Sequence, residues 1–130
     1  MINIKIPADD KRTLIRTYLE LLNIVNPNPD NKLTEGEVKL LTEFILLPEK
    51  YSYQRFSRYA KPLILKTLKE VWDWELSPIN LNSKIYELVN KGYIWRDEDG
   101  VLYIKEYLIK SAKLLDSRKI TIEFNDSKAN

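Results

Sequence analysis

The side chains of this sequence richest in hydrogen-bonding chemistry sit in "SPINLNSKIYELVN", where Asn80, Asn82 and Ser83 fall close together and Lys84 and Tyr86 follow. Amides and hydroxyls both donate and accept, so this set suits base edges or phosphate oxygens better than bond-breaking chemistry. A second set lies upstream in "KYSYQRFSRYAKPLILKTLK", where Lys50, Arg55, Arg58, Lys61, Lys66 and Lys69 occur without one Asp or Glu. Tyr51, Tyr53, Phe56 and Tyr59 are interleaved with them. Cations beside aromatic rings suit a phosphate backbone with a base or sugar edge. The same spacing also suits rings packed into a core with the cations solvated outside, and both readings stand for different residues.

Catalysis has little to draw on. The chain has no His and no Cys, which removes disulfides, thiolate nucleophiles, ordinary zinc ligands and the usual general base near neutral pH. Its glycines, Gly36, Gly92 and Gly100, are explained by a helix start, a helix stop and a turn, so no Gly-rich loop remains to cradle phosphates. Asp73 lies near Glu75, and Asp97, Glu98 and Asp99 run together. Carboxylates on tight turns are solvated, and no apolar pocket that would raise one pKa is legible. The expectation is a protein that is not an enzyme, with no cofactor, no metal and no small-molecule substrate.

Bulk properties narrow the class further. Twenty-one Lys and Arg against 19 Asp and Glu leave a net charge of +2, so affinity for a polyanion must come from local charge. A chain of 130 residues that is 44% hydrophobic fits one domain, with a core at about residues 10–116 and arms at 1–7 and 118–130. The N-terminus has no signal-type apolar run and no window approaches the ~18 apolar residues of a membrane span. The expected setting is the cytoplasm, without a membrane partner.

Periodicity supplies the elements that must hold these residues. "INIKI" alternates as a strand, and Leu14, Ile15, Tyr18, Leu19, Leu22 and Val25 recur at helical steps over residues 10–25, with Asp9 or Asp10 near the N-cap. "NPNPDN" stops that helix. Thr34 and Glu37 have capping-box spacing at the start of a helix over 35–47, closed by Pro48. A third helix spans 61–72, and Ser77-Pro78 opens a fourth that Gly92 ends. "YIW" and "VLYI" flank "RDEDG" as a hairpin, a fifth helix covers 107–115, and "KITIEF" is a last alternating strand. Trp72, Trp74 and Trp95 are expected in the core or at a partner surface, packed between the turn and the hairpin.

Helix, helix, turn, helix and hairpin in that order resembles a winged helix-turn-helix domain. Residues 69–104 look like the matching part of bacterial regulators of the multiple-antibiotic-resistance type and of related phage proteins. The positions carrying the likeness are Ser77 at the cap, Leu81, Ile85 and Leu88 on the inner face, "KGYI" at the exit and "RDEDG" at the wing tip. The resemblance implies a mainly α fold with a small β component (α+β), and a fourth helix that enters the major groove of double-stranded DNA. Asn80, Asn82, Ser83, Tyr86, Glu87 and Asn90 would then face outward, with Lys84 on the flank. Arg55, Arg58, Lys61 and Arg96 would meet phosphate. The sequence departs from the family at the wing, where Asp97, Glu98 and Asp99 would be repelled by a polyanion.

The same scaffold also mediates protein contacts. The alternative is therefore an adaptor or structural protein of a larger assembly, such as a phage virion, binding protein partners through its helical body. Its terminal strands would add to a neighbour's sheet or pair with each other. A homodimer through the first helix fits either reading.

Overall fold

In the computed structural model the described residues are 2–7, 10–114 and 119–124, with side chains described from 10 to 113. Asp9, Leu115 and the C-terminal arm beyond Phe124 lie outside them. "EGEVKLLTEFIL" forms α2 (Glu35–Leu46) and is apolar around nearly its whole circumference, with Val38, Leu40, Leu41, Phe44 and Ile45 all buried. A helix of that kind belongs at the centre of a fold. Its start is the expected capping box: the Thr34 side chain accepts from the Glu37 N–H, and the Glu37 carboxylate accepts from the Thr34 N–H at 2.8 Å.

Helix α1 (Lys11–Val25) lays Leu14, Ile15 and Leu19 against α2. Asp10 caps it, accepting from the Arg12 N–H at 3.0 Å and from the Thr13 hydroxyl at 2.7 Å. The prolines that end α1 lead into a 3₁₀ turn at Pro29–Asn31. The connection is held by Asn23, whose amide donates to Leu33 O at 2.8 Å and accepts from Leu33 N–H at 2.6 Å.

After a short 3₁₀ turn at Glu49–Tyr51, α3 (Lys61–Trp72) buries Ile64 and Leu68 and packs on α2. It ends where Asp73 takes a left-handed conformation, φ 52°, so that the Trp74 N–H reaches back to Leu68 O at 3.1 Å. Helix α4 (Pro78–Asn90) follows, capped by Ser77, which accepts from the Asn80 N–H at 3.1 Å. Leu81, Ile85 and Leu88 are its buried stripe, and α4 touches both α3 and the hairpin. Gly92, at φ 87°, is the left-handed stop that the sequence requires there.

The hairpin pairs β2 (Ile94–Arg96) with β3 (Leu102–Ile104), Trp95 opposite Tyr103. Both strands begin one residue later than their apolar content suggests, because Asp97 rather than Arg96 opens the turn, its N–H bonded to Val101 O at 2.9 Å. Helix α5 (Glu106–Leu114) buries Leu108 and Ala112 and is tied to α1 by a 2.8 Å bond between the Tyr18 and Ser111 hydroxyls. The terminal strands β1 (Ile2–Pro7) and β4 (Lys119–Phe124) pair antiparallel with each other, Ile2, Ile4 and Ile6 opposite Phe124, Ile122 and Ile120. The architecture is mainly α with two small antiparallel sheets, an α+β fold. Among the described residues no helix is long and apolar enough to cross a membrane.

Candidate nucleic-acid interface

Because the stripe of Leu81, Ile85 and Leu88 faces inward, the opposite side of α4 is turned out. Asn80, Asn82, Ser83, Tyr86, Glu87 and Asn90 are all exposed and Lys84 is half-buried, as the sequence spacing predicts. Ile79, on the same side, is 78% exposed, and Tyr86 58%. Among the described residues, the side-chain amides of Asn80 and Asn82 have no hydrogen-bond partner. Asn23, Asn26 and Asn28, by contrast, engage theirs in holding the connection after α1. Lys84 lies 3.6 Å from Glu87, a weak surface pair.

The hairpin borders this face. Arg96 rests its guanidinium over the Tyr86 ring, 5.5 Å from the centroid, which links strand and helix and sets a cation on an exposed residue of α4. The turn explains part of its own acidity. The Asp97 carboxylate accepts from the Asp99 and Val101 N–H groups, each at 2.9 Å, so that residue is a turn-former. Glu98 and Asp99 are exposed at the tip and give it a negative charge.

The upstream basic run divides. Arg55 is engaged inside the protein: one of its guanidinium nitrogens donates to Phe44 O at 2.9 Å and Ile45 O at 3.3 Å, closing the carbonyl end of α2. Burial pushes its pKa down, against the opposing effect of Glu49. Phe56 is core, its ring centroid 4.5 Å from that of Phe44. Arg58 is exposed, donating to the Tyr59 hydroxyl at 2.8 Å. Lys66 and Lys69 face Glu70 and Glu75 at 3.8 and 3.1 Å, which weakens the local charge that the run alone suggests. Lys61 starts α3, so about 17 Å of helix separates it from the turn into α4. Among the described residues no side-chain bond or ion pair links Arg58 or Lys61 to α4; Arg58 engages Tyr59 alone.

The tryptophans do not cluster between turn and hairpin as expected. The Trp72 indole N–H donates to Glu43 at 2.8 Å, under Arg16 and Lys39. Trp74 covers Gly36, where an added Cβ would come within 3.1 Å of its ring. A small residue at this helix start is favoured by that packing rather than by backbone geometry. Trp95 is 42% exposed and stacks on Tyr103 at 5.0 Å. With Tyr53 it borders a groove of about 630 Å³ between the hairpin, α5 and the loop after α2.

Sequence reasoning missed two buried carboxylates on α2. Glu43, 3% exposed, receives Nε and Nη2 of Arg12 at 2.5 and 3.0 Å, and that bond is the chief reason the guanidinium's pKa is raised. Glu37, fully buried, accepts from Lys91 Nζ at 2.5 Å, while its Oε2 has no partner. Burial alone would raise the Glu37 pKa, but the Lys91 ammonium and the Thr34 amide outweigh it and hold the carboxyl below its ordinary value. The signal was present in the sequence: both are charged residues inside the chain's most evenly apolar helix. No known protein family, curated protein or solved structure matches this chain.

Proposed function

We propose that this chain is a small, non-enzymatic winged-helix protein that binds double-stranded DNA by laying α4 in the major groove with the hairpin alongside. The observation that carries this reading is the outer face of α4, where Asn80, Asn82 and Ser83 are exposed, the two amides unengaged, and Arg96 rests on the exposed Tyr86. A helix docked on its leucine side with free amides on the other can present donors and acceptors to base edges without rearrangement. Arg58 and Lys61 would add phosphate contacts at the flank; Arg55, committed to α2, would not. The test is titration of duplex DNA across ionic strength. Arg58→Ala with Lys61→Ala should weaken binding and flatten the slope of log K against log salt by up to about two. Absence of any salt-sensitive complex with the unmodified protein at low ionic strength would overturn the proposal.

A second reading, an adaptor within a larger assembly, draws on the groove beside Trp95 and Tyr53, because exposed aromatic rings at a concave surface favour protein contacts. Light scattering tests it. A strictly monomeric species, alone and with the products of neighbouring genes, would count against it.

A further inference from the structure

The face of α4 carries the chemistry of one kind of base pair, and from it we infer that the protein prefers A·T-rich duplex, read in the major groove. The inference rests on the DNA-binding reading above. Asparagine suits adenine, whose N7 accepts and whose N6 amino group donates, so that one side-chain amide meets both. Asn80 and Asn82, exposed and unengaged on either flank of the first turns of α4, are placed for that. Between them the outward ridge begins at Ile79, 78% exposed, and continues to Ser83 and Tyr86. An isoleucine offered to water at the leading end of a helix has an apolar counterpart in the thymine 5-methyl group, which the major groove alone displays.

The complementary half of the argument concerns guanine, whose usual reader is an arginine or lysine donating to O6 and N7. The described arginines all lie off α4: Arg12 pairs with Glu43, Arg16 lies beside Trp72 and Glu20, Arg55 binds the α2 carbonyls, and the exposed Arg58 and Arg96 rest on Tyr59 and Tyr86. None projects from α4, and its one lysine there, Lys84, faces Glu87. The helix therefore offers unengaged partners to adenine and to thymine, while Lys84 and Glu87, the side chains suited to guanine and cytosine, face each other.

The experiment uses the full chain and four duplexes of equal length and charge at one fixed ionic strength, followed by fluorescence anisotropy. They are A·T-rich, G·C-rich, A·T-rich with uracil replacing thymine, and inosine·cytosine. Inosine·cytosine presents the minor groove of A·T with the major groove of G·C. Expected is about tenfold tighter binding of the A·T-rich duplex than of the G·C-rich one. The inosine duplex should behave like G·C, and the uracil duplex should fall several-fold below its thymine counterpart. Asn82→Ala should narrow the preference by lowering A·T affinity alone, and Ile79→Ala should abolish the thymine-over-uracil difference. Equal affinities, a G·C preference, or an inosine duplex that binds like A·T would overturn the inference while leaving DNA binding standing. Absence of binding to every duplex would overturn both.

Discussion

Replacing Lys91 by Met should show how much the fold depends on one buried ion pair. Lys91 Nζ lies 2.5 Å from Glu37 Oε1, on a side chain 20% exposed against one that is fully buried. Methionine keeps the stem's volume and removes the charge, leaving Glu37 with the Thr34 N–H as its remaining donor. The stranded carboxylate then has two courses. It can stay ionised, which for a buried charge without its partner costs about 3–5 kcal/mol. It can instead take up a proton, at about 1.4 kcal/mol for each pH unit above an ordinary carboxyl pKa, about 3.5 kcal/mol at pH 7 and about 1 kcal/mol at pH 5. The cheaper course caps the loss, so the expected cost is about 3 kcal/mol at pH 7, shrinking to about 1 kcal/mol at pH 5.

The sign follows from linkage. In the unmodified protein the Glu37 pKa is lowered on folding, so the pair's contribution is full above the unfolded value and is lost as pH falls through the folded one. In the variant the carboxyl is raised and stability is lost as pH rises. The two proteins therefore converge in acid. Urea denaturation followed by tryptophan fluorescence at the two pH values measures this, with Glu37→Gln as the second edge of a double-mutant cycle. In the Glu37→Gln background Lys91→Met should cost under about 1 kcal/mol. An equal cost in both backgrounds, or one that does not change between pH 7 and pH 5, would refute the reasoning.

Glu43→Ala strips Arg12 and the Trp72 indole of their shared acceptor and should cost about 3–5 kcal/mol in the same assay, whereas Trp72→Phe removes one hydrogen bond and should cost about 1 kcal/mol. Asp73→Gly relieves the one left-handed non-glycine residue among those described and should stabilise by up to about 1 kcal/mol in urea melts. Arg55→Met should lower stability by about 1–2 kcal/mol, since Ile45 O loses a donor and Phe44 O keeps only the long bond from Leu47 N–H, and, on the proposed reading, leave the salt dependence of any duplex complex unchanged. Glu98→Gln with Asp99→Asn should raise duplex affinity at low salt if the hairpin lies beside phosphates, and an unchanged titration would place its tip away from the backbone.

Much of this fold could be read because its elements are signalled locally. Thr34 with Glu37, Ser77 with Pro78, and Gly92 each mark a helix end through bonds made within a few residues, and the observed ends agree with them. The leucine stripe of α4 and the polar face opposite it follow from the same local period. What could not be read was settled by groups distant along the chain. Arg55 looks like part of a basic run until the end of α2 is brought against it, and its neighbour Phe56 gives only half the hint. Trp72 and Trp74 sit beside a turn in sequence, yet they pack back onto α2 because Glu43 and the bare Gly36 surface lie there. Strand β2 lies one residue further along than its apolar content suggests, and β3 starts one later, because Asp97 satisfies two amides from inside the turn, a choice that apolar alternation in three-residue strands is too short to decide.

The two buried carboxylates give α2 a role that its hydrophobic surface alone would not. Leucine and isoleucine contacts are non-directional and tolerate some repacking. Charge-assisted bonds tolerate less, because a small displacement strands a buried ion. Glu43 fixes the first turn of α1 and the last turn of α3 through Arg12 and Trp72, and Glu37, six residues earlier, fixes the exit of α4 through Lys91. The orientation of α4 is thus set at its far end by an ion pair and along its length by Leu81, Ile85 and Leu88. Its asparagine face follows from that and needs no bonds of its own. A face held in place from behind can keep its own amides unengaged, and this separation of positioning from presentation is what a surface that reads another molecule requires.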